Sequence, residues 1–242
     1  MVAVVNSKND YALTFMKSME KIGVNCHQSF CGNNKVGIVV FPIWFLFLFL
    51  KYKPAIVHTH TEVPDLSTYM FNFFFGWLPS WRKVKIVRTI HNTELWTDWK
   101  GIGKMVERFF HKKKANISIS KSVQQSYKKN YGDDTPIIYN GVEAKNQLPF
   151  TQIEKGKINI LFAGRFEEQK GIDQLLLILN KFKNDSRFYF HIVGNGSRLE
   201  DIQNTMEGMD NCKFYNRIFN LSSYLASFDY VLMPSNFEGL HL

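Results

Sequence analysis

"INILFAGRFEEQKGIDQLLLILNKF", residues 158–182, decides the fold. A short β-branched and apolar burst (158–162) runs into Ala163-Gly164-Arg165, then a charged loop, then Gly171 and a stretch with helical periodicity. Ile172, Leu175, Leu176, Leu179 and Phe182 fall on one stripe of that helix, as an amphipathic helix packed on a sheet requires. The unit therefore reads as strand, tight glycine turn, loop and helix. In an open α/β sheet the C-terminal end of such a strand faces the ligand crevice, and the following helix aims free N–H groups there. Arg165 and Lys170, five residues apart, suit a diphosphate, one as a planar fork and the other as a point charge. A generic strand-turn-helix with surface charges remains the alternative at this point.

The same device recurs downstream. "FYFHIVGNGSRLEDI" (188–202) is a buried strand ending in Gly194-Asn195-Gly196, with a helix expected to begin near Ser197 as its N-cap. Glycines there allow close backbone approach to a ligand, although a lone G-x-G is more often just a turn. Next comes "CKFYNRIFNLSSYLASFDYVLMPSNFEGL", read as a short strand, a loop at Arg217-Ile218-Phe219, a helix, and a strand ending at Pro234-Ser235. Upstream, "VAVV", "AIVHTH", "KIVRTIHN" and "ANISIS" alternate with amphipathic stretches. Ile102, Met105, Val106, Phe109 and Phe110 form one expected helical stripe. The rhythm implies βαβ units and parallel sheets. "YNGVEAKNQLPFTQIEKGK" (139–157) breaks the pattern with Gly, Pro and polar residues, which marks a linker between two α/β domains, 1–150 and 151–242.

Composition narrows the class. Hydrophobic residues make up 45% of 242 positions, ample for folded cores, so disorder is excluded. Residues 1–150 hold 20 basic and 10 acidic side chains, against 10 and 11 in the remainder, so all the excess positive charge sits in the first half. Such a field attracts nucleic acid, an anionic membrane or an acidic substrate alike. Cys26, Cys31 and Cys212 match no zinc or C-x-x-C spacing, and an odd count does not build a disulfide framework, so a reduced, cytoplasmic setting is expected. The start lacks the basic and apolar regions of a secretory signal.

Two aromatic runs, "FPIWFLFLFL" (41–50) and "FNFFFGWL" (71–78), are shorter than the ~20 residues that span a bilayer, and neither is expected to cross one. Each reads as a buried helix. The sharper alternative is a peripheral face on the inner side of the cell membrane, with Trp44 or Trp77 resting on anionic lipid beside Lys51, Lys53, Arg82 and Lys83. The triple lysine at 112–114 reads as complementing a helix C-terminus.

The colinear order of "AIVHTH", "IVRTIHN", "ANISISKSVQQSY", "IIYNGVE", "AGRFEEQKG", "HIVGNGS" and "FDYVLMPSNFEGL" resembles the retaining, nucleotide-sugar-dependent glycosyltransferases of family four, which have the GT-B fold. The resemblance spans nearly the whole chain. It implies two Rossmann-like domains with parallel sheets facing a cleft, an acceptor-side domain at 1–150 and a donor-binding domain at 151–242 that is incomplete. Arg165 and Lys170 match the pair that holds the donor diphosphate. Gly164, Gly194 and Gly196 match the turns near the nucleotide, and Arg217, Ile218 and Phe219 the loop contacting the base. Glu238 matches the first of two glutamates bracketing the donor, the second of which would fall beyond Leu242. His91 matches a first-domain histidine directed at the donor sugar, a role that a strand-end histidine would not suggest by itself.

The expected donor is a UDP- or GDP-linked sugar, as substrate rather than cofactor, and the expected acceptor a glycan or lipid-linked glycan of surface polysaccharide synthesis. The resemblance implies no metal. His58 and His60 share one strand face, and the sequence offers no third ligand. No paired carboxylates for glycoside hydrolysis and no nucleic-acid-binding signature are evident. The first strand lacks the glycine-rich loop usual in the family. Rival expectations are a non-catalytic remnant that binds nucleotide weakly, a sugar-nucleotide epimerase, and a basic membrane- or nucleic-acid-binding module.

Overall fold

In the computed structural model, residues 1–6, 10–97, 99–142 and 144–236 are described. The chain divides into two units, with the change at Asn140–Gly141. That point lies within the polar linker read from the sequence and ten residues ahead of the expected boundary at 150. Residues 141–150 go with the second unit for a physical reason: Leu148 N–H donates to Ser223 O (2.7 Å) and Phe150 N–H to Ser227 Oγ (2.9 Å). The Phe150 ring meets Phe228 at 5.3 Å and Tyr224 at 5.6 Å.

The first unit begins with a two-stranded parallel pair, β1 (Val2–Ala3) and β2 (His27–Gln28), joined through α1 (Asp10–Lys21). Helix α2 (Asn34–Tyr52) leads to β3 (Ile56–His60), α3 (Glu62–Phe75) and the short α4 (Pro79–Arg82) lead to β4 (Lys85–Ile90), α5 (Lys100–Lys112) leads to β5 (Asn116–Ser118), and α6 (Lys121–Tyr131) follows. Strands β3, β4 and β5 form a parallel sheet in that order, with His60 opposite Thr89 and Arg88 opposite Asn116. Aromatics dominate the core: Phe45 meets Phe71 edge to face at 5.0 Å, and Trp81 meets the same ring at 4.6 Å.

Helix α2 corrects one expectation. The aromatic run at 41–50 is only part of it, and the helix has 19 residues, enough by length and composition to cross a bilayer. Phe41, Phe45 and Phe49 are nevertheless buried in the unit's own core.

Helix α5 corrects another. Val106 and Phe110 are buried as expected, but Ile102 and Met105 are exposed and Gly103 and Glu107 are buried instead. The helix is rotated to bring Glu107 inward, where its carboxylate accepts from Arg88 Nη1 (2.7 Å), Arg88 Nη2 (2.8 Å), Trp96 Nε1 (2.6 Å) and the Tyr127 hydroxyl. Arg88 Nε also donates to Asp65 (2.7 Å), whose other oxygen accepts from Thr59 (2.6 Å). A buried charge is tolerated only when paired and hydrogen-bonded, and this network meets both conditions. Burial still pushes the Asp65 carboxyl up to about 6, against the pull of Arg88.

The second unit contains β6 (Ile158–Arg165), a 3₁₀ turn (Glu168–Lys170), α7 (Ile172–Lys181), β7 (Phe188–Asn195), α8 (Leu199–Met206), β8 (Cys212–Tyr215) and β9 (Tyr230–Val231). All pairings are parallel in the order β8-β7-β6-β9. Ile172, Leu175 and Leu179 of α7 are fully buried against Phe162, Phe190 and Ile192. The segment after Phe219, expected as a helix, forms two 3₁₀ turns, Leu221–Ser223 and Leu225–Ser227. Ser and Asn side chains that compete for backbone hydrogen bonds favour such short turns.

Candidate functional site

The sheet of the second unit reverses its order at β6: β7 and β8 lie on one side and β9 on the other. A crevice opens at such a point, outside the C-terminal strand ends. The residues there are Gly164 and Arg165 at the end of β6 and Gly194 and Asn195 at the end of β7, which are register partners.

Glycine is required at Gly194 and at Gly196, in the turn that follows β7, by packing between loops. Gly194 has φ +152°, and a Cβ on it would lie 1.9 Å from Gly164 O. A Cβ on Gly196 would lie 2.5 Å from Phe166 O. The sequence reading left close approach by a ligand and an ordinary turn both open at these glycines; the structure adds that backbone of the β6 loop lies on the side a Cβ would occupy. At Gly164 a Cβ would meet only ordinary contacts, with the Lys170 stem 3.7 Å away. Lys170 thus crosses over Gly164, while Arg165 is exposed and donates to Gln169 Oε1 (3.2 Å).

The loop carrying these two cations is tied down on both flanks. Glu167 accepts from Ser197 N–H (3.0 Å) and Ser197 Oγ (2.7 Å), and these hydrogen bonds hold its carboxyl below the usual range. Ser197 therefore serves the loop; the N-cap of α8 is Arg198. On the other flank Asn236 N–H donates to Gln169 O (3.0 Å), its side-chain amide to Glu168 O (2.7 Å), and Gln174 Nε2 to Asn236 Oδ1 (2.8 Å). Gly171, in the left-handed region at φ +66°, approaches Pro234 so closely that a Cβ would lie 2.0 Å from its carbonyl oxygen. Gly171 is the N-cap of α7 and, having no side chain, leaves the N-terminal N–H groups without a side-chain cap.

Asn195 Nδ2 donates to Asn216 Oδ1 (2.8 Å), which joins β7 to the loop of Arg217, Ile218 and Phe219. Arg217 lies over the Phe219 ring at 4.5 Å, Phe219 is exposed, and Ile218 packs beside Leu161, Val193 and Phe228. All the expected second-unit residues within the described range thus sit at one sheet edge. Glu238 lies outside the described residues.

His91 belongs to the first unit, directly after β4, and sequence reasoning missed its immediate setting. His60 Nδ1 is 2.9 Å from His91 Nε2, the rings of His58 and His60 are 4.3 Å apart, and His58 Nε2 is 2.7 Å from Thr89 Oγ1. Burial, followed by neighbouring imidazoles, lowers the pKa of all three. The alternating pattern of "VHTH" put His58 and His60 on one face; the link to His91 follows from the β3–β4 register. Among the described residues no group of three or more His, Cys, Asp and Glu is arranged to hold a metal ion.

Known proteins bear on this geometry. The model of Glycosyltransferase Family 4 matches residues 20–146, and that of Glycosyl transferases group 1 matches residues 144–241. An uncharacterized 41.2 kDa protein in the cps region of Klebsiella pneumoniae is 28% identical, over 80% of this chain and 57% of that protein. The O-antigen biosynthesis glycosyltransferase WbnH of Escherichia coli is 27% identical over 50% of this chain and 35% of its own length. The chain therefore spans little more than half of the first of these relatives and about a third of the second. Solved structures that share the fold include Anabaena HepE in complex with UDP-glucose, at TM-score 0.68 and 14% identity over 90% of this chain and 62% of that one, and a point mutant of S. aureus TarM in complex with fondaparinux, alpha-GlcNAc-glycerol and UDP, at TM-score 0.64 and 18% identity over 85% and 41%.

Proposed function

The chain belongs to Glycosyltransferase Family 4, and from that premise we propose that it transfers a sugar from a UDP- or GDP-linked donor to a glycan or lipid-linked acceptor in surface polysaccharide synthesis, with retention at the anomeric carbon. The observation that carries the reading is the β6–α7 loop, where Arg165 and Lys170 stand at the strand-order reversal beside the uncapped N-terminus of α7. A diphosphate needs such convergent positive charge. The relative named for O-antigen synthesis and the fold shared with UDP-bound structures support the choice of donor class and setting.

In the proposed reaction the bond between the anomeric carbon and the diphosphate oxygen breaks, and the acceptor hydroxyl oxygen bonds to the same face of that carbon. The acceptor's proton passes to the leaving diphosphate. Arg165 and Lys170 stabilise the charge that develops on that leaving group, the kind of preorganised stabilisation worth a hundredfold or more per donor. Arg217, Ile218 and Phe219 would receive the base, His91 the donor sugar and phosphate, and Glu238 the sugar hydroxyls. The donor is a substrate, and the scheme calls on no cofactor or metal. Free thiols at Cys26, Cys31 and Cys212 suit a reducing, cytoplasmic setting.

Calorimetric titration with UDP and GDP tests the site. Heat with at least one nucleotide is expected, weakened roughly thirtyfold or more in an Arg165→Ala/Lys170→Ala variant that keeps its circular-dichroism spectrum. Silence with both nucleotides from a folded chain would sink the reading. The anomeric proton coupling of a product formed from a defined α-linked donor would then decide between retention and inversion.

A further inference from the structure

Helix α2 is apolar on all sides, yet only one side is covered. Phe41, Phe45 and Phe49 face the core, while Val36, Val39, Ile43, Phe47 and Leu50 are between 53% and 68% exposed. At about 100° per residue these five positions fall within an arc of about 80°, opposite the buried side. A soluble helix ordinarily turns charge toward water on that face, and a contiguous exposed apolar patch marks a docking surface. Phe73 and Phe74, at the C-terminal end of α3, and Trp77 just beyond it are exposed as well.

Charge specifies the occupant. Residues 21–61 contain four lysines and no Asp or Glu. Exposed Lys35 stands at the N-terminal end of the stripe, and exposed Lys51 and Lys53 at its C-terminal end. Arg82 and Lys83, also exposed, follow Trp77. Apolar stripe, exposed aromatics and cations at both ends fit a bilayer interface whose headgroups are anionic. A helix with three phenylalanines anchored in its own domain lies in the plane of that interface instead of crossing it.

We propose that the exposed face of α2 docks on an anionic phospholipid bilayer, with Ile43 and Phe47 at its centre and Lys35, Lys51 and Lys53 on headgroups. The inference is independent of glycosyl transfer and stands whether or not a nucleotide binds.

Co-sedimentation of the whole chain with phosphatidylcholine/phosphatidylglycerol vesicles (7:3) at low salt is the test. Wild type is expected to pellet with these vesicles and to be released by alkaline carbonate. Ile43→Gln/Phe47→Gln should lower lipid partitioning at least tenfold with an unchanged circular-dichroism spectrum, and the milder Val39→Gln several-fold. Lys51→Gln/Lys53→Gln should weaken binding several-fold, and Leu177→Gln, at an exposed site in the second unit, should change nothing. The proposal is overturned by a wild type that stays in the supernatant, by undiminished binding in the α2 variants, or by resistance to carbonate, which would mean that α2 crosses the bilayer. A dimer in sedimentation velocity that Ile43→Gln/Phe47→Gln dissolves would equally overturn it, because the face would then join two copies of the chain.

Discussion

His60 Nδ1 and His91 Nε2 are 2.9 Å apart, so one of these nitrogens donates and the other accepts, and a single proton serves the contact. Charging both rings would set two N–H groups against each other, with the His58 ring also close to His60. Burial and these neighbours act in the same direction, lowering the pKa of both groups. Side-chain NMR titration is expected to find His60 and His91 neutral at pH 7 and protonated only below the ordinary histidine value near 6.5. In His60→Ala, which opens the site and removes one ring, the His91 titration should move up toward that value. A His91 midpoint that is already normal in wild type, or that does not move in the variant, would refute the coupling.

Gly194 and Gly164 are register partners with opposite tolerance for a methyl group. In Gly194→Ala the new carbon would lie 1.9 Å from Gly164 O at φ +152°, whereas in Gly164→Ala the nearest atoms are 3.7 Å away. Overpacking plus a backbone conformation disfavoured for alanine should cost Gly194→Ala roughly 2–4 kcal/mol. For a chain of this size that is a fall in Tm of about 5–15 °C, against little change for Gly164→Ala. Differential scanning calorimetry checks the contrast, and equal melting of the two variants would mean that the β6 and β7 loops do not depend on this contact.

Arg88 balances two buried carboxylates, and its removal leaves both without a countercharge, with only neutral donors, Thr59 on Asp65 and Trp96 and Tyr127 on Glu107, still in place. Arg88→Met is expected to destabilise the first unit by about 3–5 kcal/mol, the cost of stranding buried charge. Glu107→Gln keeps the shape and an acceptor for Trp96, so it should cost less. All five tryptophans, Trp44, Trp77, Trp81, Trp96 and Trp99, lie in the first unit, and urea unfolding followed by tryptophan fluorescence therefore reads that unit alone. A wild-type-like midpoint for Arg88→Met would show that the network contributes nothing net.

The strands and their glycine-marked ends were legible because apolar bursts stopped at Gly164 and Gly194, and a parallel sheet places such ends on one edge. The parallel pairing and the placing of Arg165, Lys170 and Arg217 at that edge follow from chain order alone. Arg88 and Glu107 were not legible, since a single charge inside an apolar burst reads as a solvated position until a partner from another element is known. That pairing also rotates α5, which is why Ile102 and Met105 are exposed where periodicity placed them inside. The packing of the "GNG" glycines against the β6 loop was not legible, because a sequence cannot show which backbone lies against a missing Cβ.

His191 gives the second unit its own response to pH. The ring is fully buried, with Nδ1 3.1 Å from the Tyr215 hydroxyl and Nε2 3.0 Å from Asn159 Oδ1. Asn159 is itself fixed by donation from its N–H to Asp229 Oδ2 (2.7 Å). Burial, and then the charge of Lys213, hold His191 down to about 4, against 6.5 in the unfolded chain. Between these values the unfolded state binds more protons, so stability rises with pH across the window. The contribution is complete above pH 6.5 and disappears as pH falls toward 4, amounting to at most about 3 kcal/mol. Urea unfolding followed by far-ultraviolet circular dichroism, with tryptophan fluorescence marking the first unit, should show the second unit's midpoint falling steadily from pH 7 to pH 4.5. His191→Gln should have a lower midpoint at pH 7 and a flatter dependence. A wild-type second unit equally stable at pH 7 and pH 4.5 would contradict a neutral, buried His191.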